Sequence, residues 1–223
     1  PDTALASMGI YVFSTKVLYK ILTSDASNLS SSHDFGRDIV PSKIDECCAV
    51  AYPFRNEDDT PAYWRVVGNV DSYWEANIEL CGVEPELNLY NRYWPIWTYQ
   101  TQHPPAKFVF DDDDRRGMAI DSLISAGCIL SGAKVKRSII FFASTIGSRS
   151  QVKDSVILPK VTIGDNCRIT RAIIDKGCVI EDGMVIGEDL EEDAKKFHVT
   201  SKGVVLVTPE MLGQDLYPPC ETD

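Results

Sequence analysis

The 223-residue sequence lacks several features on which common protein classes depend. No run approaches the roughly 18 consecutive apolar residues of a membrane span, and no charged segment followed by an apolar one resembles a secretion signal. The seven cysteines form no C-x-x-C pair and have no histidine at zinc-ligand spacing. This favours buried, reduced thiols over disulfides or a zinc site. We therefore expect a cytoplasmic protein that does not bind a membrane.

The sequence also lacks the positive charge of a nucleic-acid-binding protein. It has 22 Lys and Arg against 33 Asp and Glu, for a formal net charge of -11, and such a chain repels a phosphate backbone. Late in the sequence, however, basic residues gather. We expect either a solvated face or a local anion site there, formed by Lys134, Lys136, Arg137, Arg149, Lys153, Lys160, Arg168, Arg171 and Lys176.

Familiar catalytic motifs are absent as well. The three histidines, His33, His103 and His198, have no Ser, Cys or acidic neighbour at a motif spacing, so no catalytic dyad is predicted. Neither G-x-G-x-x-G nor G-x-x-x-x-G-K-S/T occurs, which excludes those phosphate-binding loops from this chain. The acidic run at 111–114 lacks the spacing of a calcium loop, so we interpret it as a solvated loop.

The first hundred residues alternate strand-like and helix-like segments. Apolar runs predict strands at 5–13, 49–54 and 63–68. Ser14 and Asn69 are candidate N-caps of helices, and 38–46 predicts a short helix containing a proline. This is α/β composition with fewer strands than a doubly wound domain has. Together with a start at Pro1, it suggests part of a longer protein.

From residue 122 onward, aliphatic residues recur every six positions, in four triads that restart after 17 residues. A step of six, three times per repeat, predicts a triangular β-helix in which each coil contributes one inward aliphatic residue per face. Open strand edges in such a fold favour oligomerisation. The twelve positions are Leu123, Ile129, Val135, Ile140, Ile146, Val152, Ile157, Ile163, Ile169, Ile174, Ile180 and Ile186.

We thus predict an α/β domain at 1–100, a proline-rich linker at 101–121 and a β-helix at 122–223. Several motifs occur in order along these segments: LASMGIYVF, SSHDFGRDIVP, YWRVVGNVDSYWEAN, WPIWTYQ, PPAKFV, the hexad repeats and GMVIGEDLEEDAKKF. Together they closely resemble the carboxyl-terminal half of bacterial glucose-1-phosphate adenylyltransferase, or ADP-glucose pyrophosphorylase.

The resemblance implies a Rossmann-like nucleotidyltransferase domain followed by a left-handed β-helix. It also implies a tetramer that makes ADP-glucose from ATP and glucose 1-phosphate with magnesium, in glycogen biosynthesis. The ATP loop and the catalytic Asp would lie before Pro1. By resemblance, the residues around the glucose 1-phosphate are Ser7, Tyr11, Asp34, Phe35 and Trp64. Hydroxyl, carboxylate and aromatic groups suit a sugar.

Two departures from the family pattern affect the expected activity and its regulation. Val66 occupies the position of an Asp that holds magnesium in the family, and an aliphatic side chain cannot ligate a hard cation. Lys176 matches a basic residue that contacts the phosphate of a nucleotide effector. Pro209 and Gly213 replace a basic pair of the final segment, which weakens the expectation of activation by fructose 1,6-bisphosphate.

Three functions therefore remain open. The first is the carboxyl-terminal part of an ADP-glucose pyrophosphorylase, inactive alone. The second is a non-catalytic regulatory or assembly subunit of such an enzyme. The third is a hexapeptide-repeat acyltransferase, which the absence of histidine from the predicted coils disfavours, because such enzymes need a general base.

Overall fold

The computed structural model describes residues 6–46, 48–56, 58–93, 95–112 and 114–215. The chain divides into two compact units, Pro1–Trp64 and Arg65–Asp223. None of the helices within the described ranges is long and apolar enough to cross a membrane.

The first unit is helical where it is regular. Helix α1 spans Thr15–Ala26 with Ser14 as its N-cap residue, as predicted. A π-helical turn, Phe35–Ile39, runs directly into the short helix α2, Val40–Lys43. Pro41 lies in the first turn of α2 and has no N–H to donate to the π-helical turn that precedes it.

The three strands predicted in the first seventy residues do not form. The described residues of 5–13, 49–54 and 63–68 are irregular, apart from an isolated antiparallel bridge between Arg55 and Pro61. A strand needs neighbours that pair with its backbone N–H and C=O groups. Within the described part of the first unit, that bridge is the only β-pairing, so the apolar runs form no sheet.

The second unit contains a parallel β-helix whose coils are built from very short strands. The strands are β1 Lys107–Val109, β2 Met118–Ile120, β3 Leu123–Ile124, β4 Ile129–Ser131, β5 Lys134–Lys136, β6 Ile139–Ile140, β7 Thr145–Ile146, β8 Gln151–Lys153, β9 Val156–Ile157, β10 Thr162–Ile163, β11 Arg168–Thr170, β12 Ala172–Ile174, β13 Val179–Ile180, β14 Val185–Ile186, β15 His198–Val199 and β16 Val205–Val207.

These strands stack into three sheets, which form the faces of a triangular prism. Face 1 has the order β1-β4-β7-β10-β13, face 2 the order β2-β5-β8-β11-β14, and face 3 the order β3-β6-β9-β12-β16-β15. Pairing is parallel throughout except between β15 and β16. Each coil takes one strand from each face, so the structure has five coils, the last of which is β13, β14 and β16.

The aliphatic column inside the prism confirms ten of the twelve predicted inward positions, from Val135 to Ile186, each at most 2% exposed. The prediction was wrong in the first triad. There Ile129 is 41% exposed, and Leu130, which pairs in register with Ile146, points inward instead. Ile124, not Leu123, pairs with Ile140. The step from Leu130 to Val135 is therefore five residues rather than six.

Strands β1 and β2 lie inside 101–121, the segment predicted to be a linker, and β1 pairs with β4. The described residues of the acidic run lie between the two strands and are exposed, as expected of a solvated loop, and they also form ion pairs. Asp111 pairs with Arg116, and Asp112 with Arg115. Asp114 Oδ2 accepts from Arg149 Nε at 2.7 Å, which ties the loop to the third coil.

Buried serines satisfy the backbone at the corners between faces. Ser150 Oγ accepts from the N–H of Cys167 at 2.9 Å and donates to the carbonyl of Gly164 at 2.6 Å. Ser155 Oγ accepts from the N–H of Ala172 in the same way. A buried polar group without a partner costs about 1–3 kcal/mol. By pairing with these backbone groups, the serine hydroxyls stabilise the buried corners of the coils.

Helix α3, Val70–Glu79, covers face 3. Asn69 caps it as predicted, in a capping box with Ser72. Trp74 and Ile78 pack on Val156 and Ile173, which project outward from face 3 yet are at most 3% exposed.

Polar contacts fix the helix to the last three coils. Trp74 Nε1 donates to the carbonyl of Asp154 at 2.8 Å, and the guanidinium carbon of Arg171 lies 4.3 Å from the centre of the Trp74 ring. Thr200 Oγ1 donates to Asp71 Oδ1 at 2.6 Å.

The final coil carries an insertion and a capping segment. Between β14 and β16 the chain forms the short helix α4, Leu190–Asp193, and then β15. After β16 a 3₁₀ helix spans Glu210–Leu212 and ends at Gly213, whose φ of 71° lies in the left-handed region that glycine adopts without strain.

Candidate functional site

Four of the five residues that resemblance assigns to the sugar pocket lie together in the first unit. Ser7 Oγ and the Tyr11 hydroxyl are 2.8 Å apart. The Tyr11 ring stacks on Phe35 with centroids 6.0 Å apart, and Phe13, which was not predicted, contacts both rings. The result is an aromatic wall that carries a pair of hydroxyls on one edge.

Asp34 positions Phe35 by capping the π-helical turn. Its Oδ1 accepts from the N–H groups of Gly36 and Arg37, both at 2.8 Å. A Cβ added to Gly36 would lie 3.2 Å from the Tyr11 hydroxyl oxygen, so glycine allows the turn to approach the wall. The capping uses one carboxylate oxygen, and Oδ2 remains available as an acceptor.

A hydroxyl and carboxylate network that sequence reasoning missed holds the loop before Asp34. His33 Nδ1 lies 2.6 Å from Asp25 Oδ2, and Ser31 Oγ donates to Asp25 Oδ1 at 2.6 Å. These hydrogen bonds, with Ser31 contributing most, lower the pKa of the Asp25 carboxyl. Ser32 hydrogen-bonds Asp38 and lowers its pKa in the same way.

The fifth predicted residue, Trp64, is not part of this wall. The ring contacts among the described residues of the wall involve Tyr11, Phe13 and Phe35, and Trp64 is 43% exposed at the end of the first unit. Val66 is the second residue of the second unit and is 74% exposed. Its side chain offers no oxygen or nitrogen to a cation.

In the part of the chain that the structure describes, no group of three or more His, Cys, Asp or Glu side chains could hold a metal ion. A magnesium ion needs oxygen ligands, usually one or two carboxylates with water and substrate phosphates. Val66 leaves the expected carboxylate position without one.

The predicted anion-binding residues lie on the β-helix. Lys136 and Lys153 pair in register on neighbouring strands of face 2, as the 17-residue step predicted. Several of their basic neighbours are already paired: Arg137 with Asp154, Arg149 with Asp114 and Arg168 with Glu188. Lys176 is exposed in the turn before β13, and its N–H donates to Asp175 Oδ1 at 2.7 Å.

Two protein-family models match this chain, one in each part of the sequence. Residues 1–82 match the family model described as nucleotidyl transferase. Residues 104–207 match the model described as GlmU-like, C-terminal hexapeptide.

Among curated relatives, the chain is 63% identical over 217 residues to a glucose-1-phosphate adenylyltransferase of Thiobacillus denitrificans. It is 60% identical to that of Methylococcus capsulatus and 59% to that of Hydrogenovibrio crunogenus. Over nearly its whole length, the chain is thus similar in sequence to glucose-1-phosphate adenylyltransferases. The alignments cover 97% of this chain but 49% to 52% of the relatives. The chain therefore spans about half the length of the curated adenylyltransferases it matches.

Proposed function

We propose that this chain supplies the sugar-phosphate side and the β-helix of an ADP-glucose pyrophosphorylase. The reaction would join ATP and glucose 1-phosphate to give ADP-glucose and pyrophosphate, in the cytoplasm. The observation that carries the proposal is the cluster of Ser7, Tyr11, Asp34 and Phe35, in a chain whose relatives over nearly its whole length are adenylyltransferases.

Each member of the cluster has a role that suits a sugar. The stacked faces of Tyr11 and Phe35 offer an apolar surface to the C–H side of a pyranose ring. The paired hydroxyls of Ser7 and Tyr11 can donate to and accept from sugar hydroxyls or phosphate oxygens. Asp34 Oδ2 can accept from a sugar hydroxyl while Oδ1 keeps the turn in place. These groups bind and orient the sugar phosphate.

The other elements of the proposal rest on the resemblance alone. Magnesium would neutralise phosphate charge in the family reaction, yet Val66 supplies no ligand for it. We propose Lys176 as a contact for the phosphate of an anionic effector, and the β-helix as the tetramer-forming part. Trp64 belongs to the proposed sugar pocket by the same resemblance.

Glucose 1-phosphate binding tests the sugar-pocket assignment directly. Titration calorimetry on the purified chain compares Tyr11→Phe, which keeps the ring but removes the hydroxyl next to Ser7, with Tyr99→Phe, whose tyrosine is 89% exposed. We expect the first variant to bind about 2- to 12-fold more weakly, the range for one net hydrogen bond, and the second to bind like the parent chain. Equal affinities for the two variants would contradict the assignment.

A second candidate function is a non-catalytic subunit that assembles with an active adenylyltransferase. The observation behind it is Val66, which stands where the resemblance implies a metal-binding carboxylate. Mixing the chain with the intact Thiobacillus denitrificans relative and measuring both assembly and ADP-glucose formation tests this role. A chain that stays monomeric and leaves the activity of the relative unchanged would eliminate it.

A further inference from the structure

The chain enters the proposed sugar pocket through a residue with an unusual backbone conformation. His33, which directly precedes Asp34, has a φ of 60°. This value lies in the left-handed region, which residues with a Cβ occupy only at a cost. Strained residues of this kind persist where the surrounding contacts hold them, and they cluster at functional sites. The backbone of His33 sets the direction in which the chain continues to Asp34 and Phe35.

Asp25, in the last turn of α1, holds His33 in this conformation. Its Oδ2 lies 2.6 Å from His33 Nδ1, and its Oδ1 accepts from Ser31 Oγ at 2.6 Å. Ser31 Oγ in turn accepts from the backbone N–H of His33 at 3.0 Å. Because a carboxylate only accepts, Nδ1 is the donor to Asp25. The three residues form a closed ring of hydrogen bonds that fixes both the backbone and the side chain of His33.

The surroundings of Asp25 favour this role. Its side chain is 13% exposed, against 57% for that of His33, so water competes less for the hydrogen bonds of the carboxylate. The hydrogen bonds from Ser31 and His33 lower the pKa of Asp25, as expected when donors stabilise the ionised form. The carbonyl of Asp25 also accepts from the N–H of Asn28 at 2.8 Å, which joins the loop to the end of the helix.

The two residues after His33 belong to the proposed sugar pocket. Asp34 Oδ1 caps the π-helical turn, and the Phe35 ring stacks on Tyr11. A second contact holds the same loop, because the N–H of Ser32 donates to Asp38 Oδ2 at 3.2 Å. That contact ties the loop to the π-helical turn itself, whereas Asp25 ties it to α1.

We propose that Asp25 and His33 are positioning residues that hold Asp34 and Phe35 in place for glucose 1-phosphate. The inference rests on the proposed function of the sugar pocket. With His33 bound to α1, the Asp34 carboxylate and the Phe35 ring are in place before the sugar arrives, so binding requires less ordering of the loop. Loss of either partner allows His33 to relax to a negative φ, which turns Asp34 and Phe35 away from the pocket.

Titration calorimetry with glucose 1-phosphate on the purified chain tests the role of His33. His33→Ala removes the donor, whereas His33→Asn restores an N–H donor at the distance of Nδ1 from the backbone and tolerates the left-handed region. We expect His33→Ala to bind at least about fivefold more weakly, and His33→Asn to stay within about twofold of the parent, given the strength of one net hydrogen bond. His198→Ala, which removes an exposed histidine of β15, is the matched control and should bind like the parent.

A double-mutant cycle tests whether the two residues act as a pair. Asp25→Ala should weaken binding at least as much as His33→Ala. The double variant should bind about as weakly as Asp25→Ala, because that change already removes the contact with His33. Additive losses would overturn the pairing. His33→Gly relieves the backbone strain without restoring a donor, so we expect it to bind more weakly than His33→Asn.

Amide hydrogen exchange shows whether the pocket itself responds. The N–H groups of Gly36 and Arg37, which Asp34 caps, should exchange faster in His33→Ala and at the parent rate in His33→Asn. A cooperative thermal transition in each variant verifies folding, and the exposed His33 keeps the test decisive if Asp25→Ala does not fold.

The outcomes separate this inference from the proposed function. If Tyr11→Phe weakens binding of glucose 1-phosphate and His33→Ala does not, the positioning role alone is overturned. Binding by His33→Asn that is as weak as that of His33→Ala would overturn it as well. If the parent chain does not bind glucose 1-phosphate, the proposed function fails and the positioning role fails with it.

Discussion

At the scale of the residue, Val66 is the departure from the family pattern that bears on the proposed reaction. It is 74% exposed, so packing does not require an aliphatic residue there. Resemblance places a magnesium-binding carboxylate at this position. Metal and electrostatic stabilisation of developing charge often contributes 10²- to 10³-fold or more to such reactions. A valine in this place is therefore expected to limit catalysis rather than stability.

We predict that Val66→Asp raises ADP-glucose formation by at least about 10²-fold. The measurement joins this chain to the amino-terminal half of the Thiobacillus denitrificans relative and assays ADP-glucose from ATP and glucose 1-phosphate with magnesium. Val67→Asp, at a neighbouring residue that is 52% exposed, is the matched control and should give no gain. If the Val66 chimera is already as active as the intact relative, the importance of this position is refuted.

At the scale of the element, α3 turns an exposed sheet face into a second small core. Trp74 contributes most to it, because it combines burial on Val156 and Ile173 with a hydrogen bond to the Asp154 carbonyl and stacking under Arg171. Without this helix, face 3 would present an aliphatic column to water. The helix therefore stabilises the coils that it covers as well as itself.

We predict that Trp74→Ala lowers the free energy of unfolding by about 3–5 kcal/mol, the usual cost of truncating a buried large aromatic residue. Chemical denaturation followed by circular dichroism measures the loss. Trp97→Ala removes a tryptophan that is 90% exposed and should change stability by less than about 0.5 kcal/mol. Similar losses for the two variants would show that α3 does not stabilise the coil through Trp74.

The helix also shows which parts of an element a sequence can predict. Asn69 predicted where the helix begins, because capping is a local property. Its docking on face 3 was not predicted, since Asp154 follows Trp74 by 80 residues. The wrong prediction that Ile129 rather than Leu130 faces inward has a related cause. Both residues are aliphatic, and pairing with the next coil decides which one faces inward.

At the scale of the whole molecule, the β-helix was predictable because every coil needs an inward aliphatic residue on each face. Ten of the twelve predicted positions are buried inside the prism. The candidate site depended on resemblance. The structure places Ser7, Tyr11, Asp34 and Phe35 near one another, and their role in binding a sugar phosphate stays a prediction. The Asp25 and His33 pair was missed, because it joins the end of α1 to a loop without any motif spacing.

The buried thiols give the whole molecule a predictable sensitivity to alkaline pH. Burial raises the pKa of Cys178 from 9.0 to about 12, and it raises the pKa of Cys81, Cys128 and Cys167 as well. Below pH 9 these thiols are protonated in both states. Above it the unfolded chain loses protons that the folded chain retains, so stability falls as the pH rises toward 12.

We predict that Cys178→Ala makes this decline shallower by about 1.4 kcal/mol per pH unit, the value for one proton. Urea denaturation at several pH values between 9 and 12 measures the slope. Cys48→Ala, which removes an exposed thiol, should leave it unchanged. If the stability of the two variants falls equally steeply with pH, the pKa of the Cys178 thiol does not differ between the folded and unfolded states.

The contacts between α3 and the β-helix can form only after much of the chain has been synthesised. Asp71 and Thr200, which hydrogen-bond each other, are 129 residues apart in the chain. At about 5–20 residues per second, a ribosome takes roughly 6 to 26 s to make that stretch. Early coils can form as they emerge, because each needs only its neighbour. The apolar face with Trp74 and Ile78 has no partner on face 3 until Val156 is made, 82 residues after Trp74, so we expect chaperones to protect α3 on the ribosome.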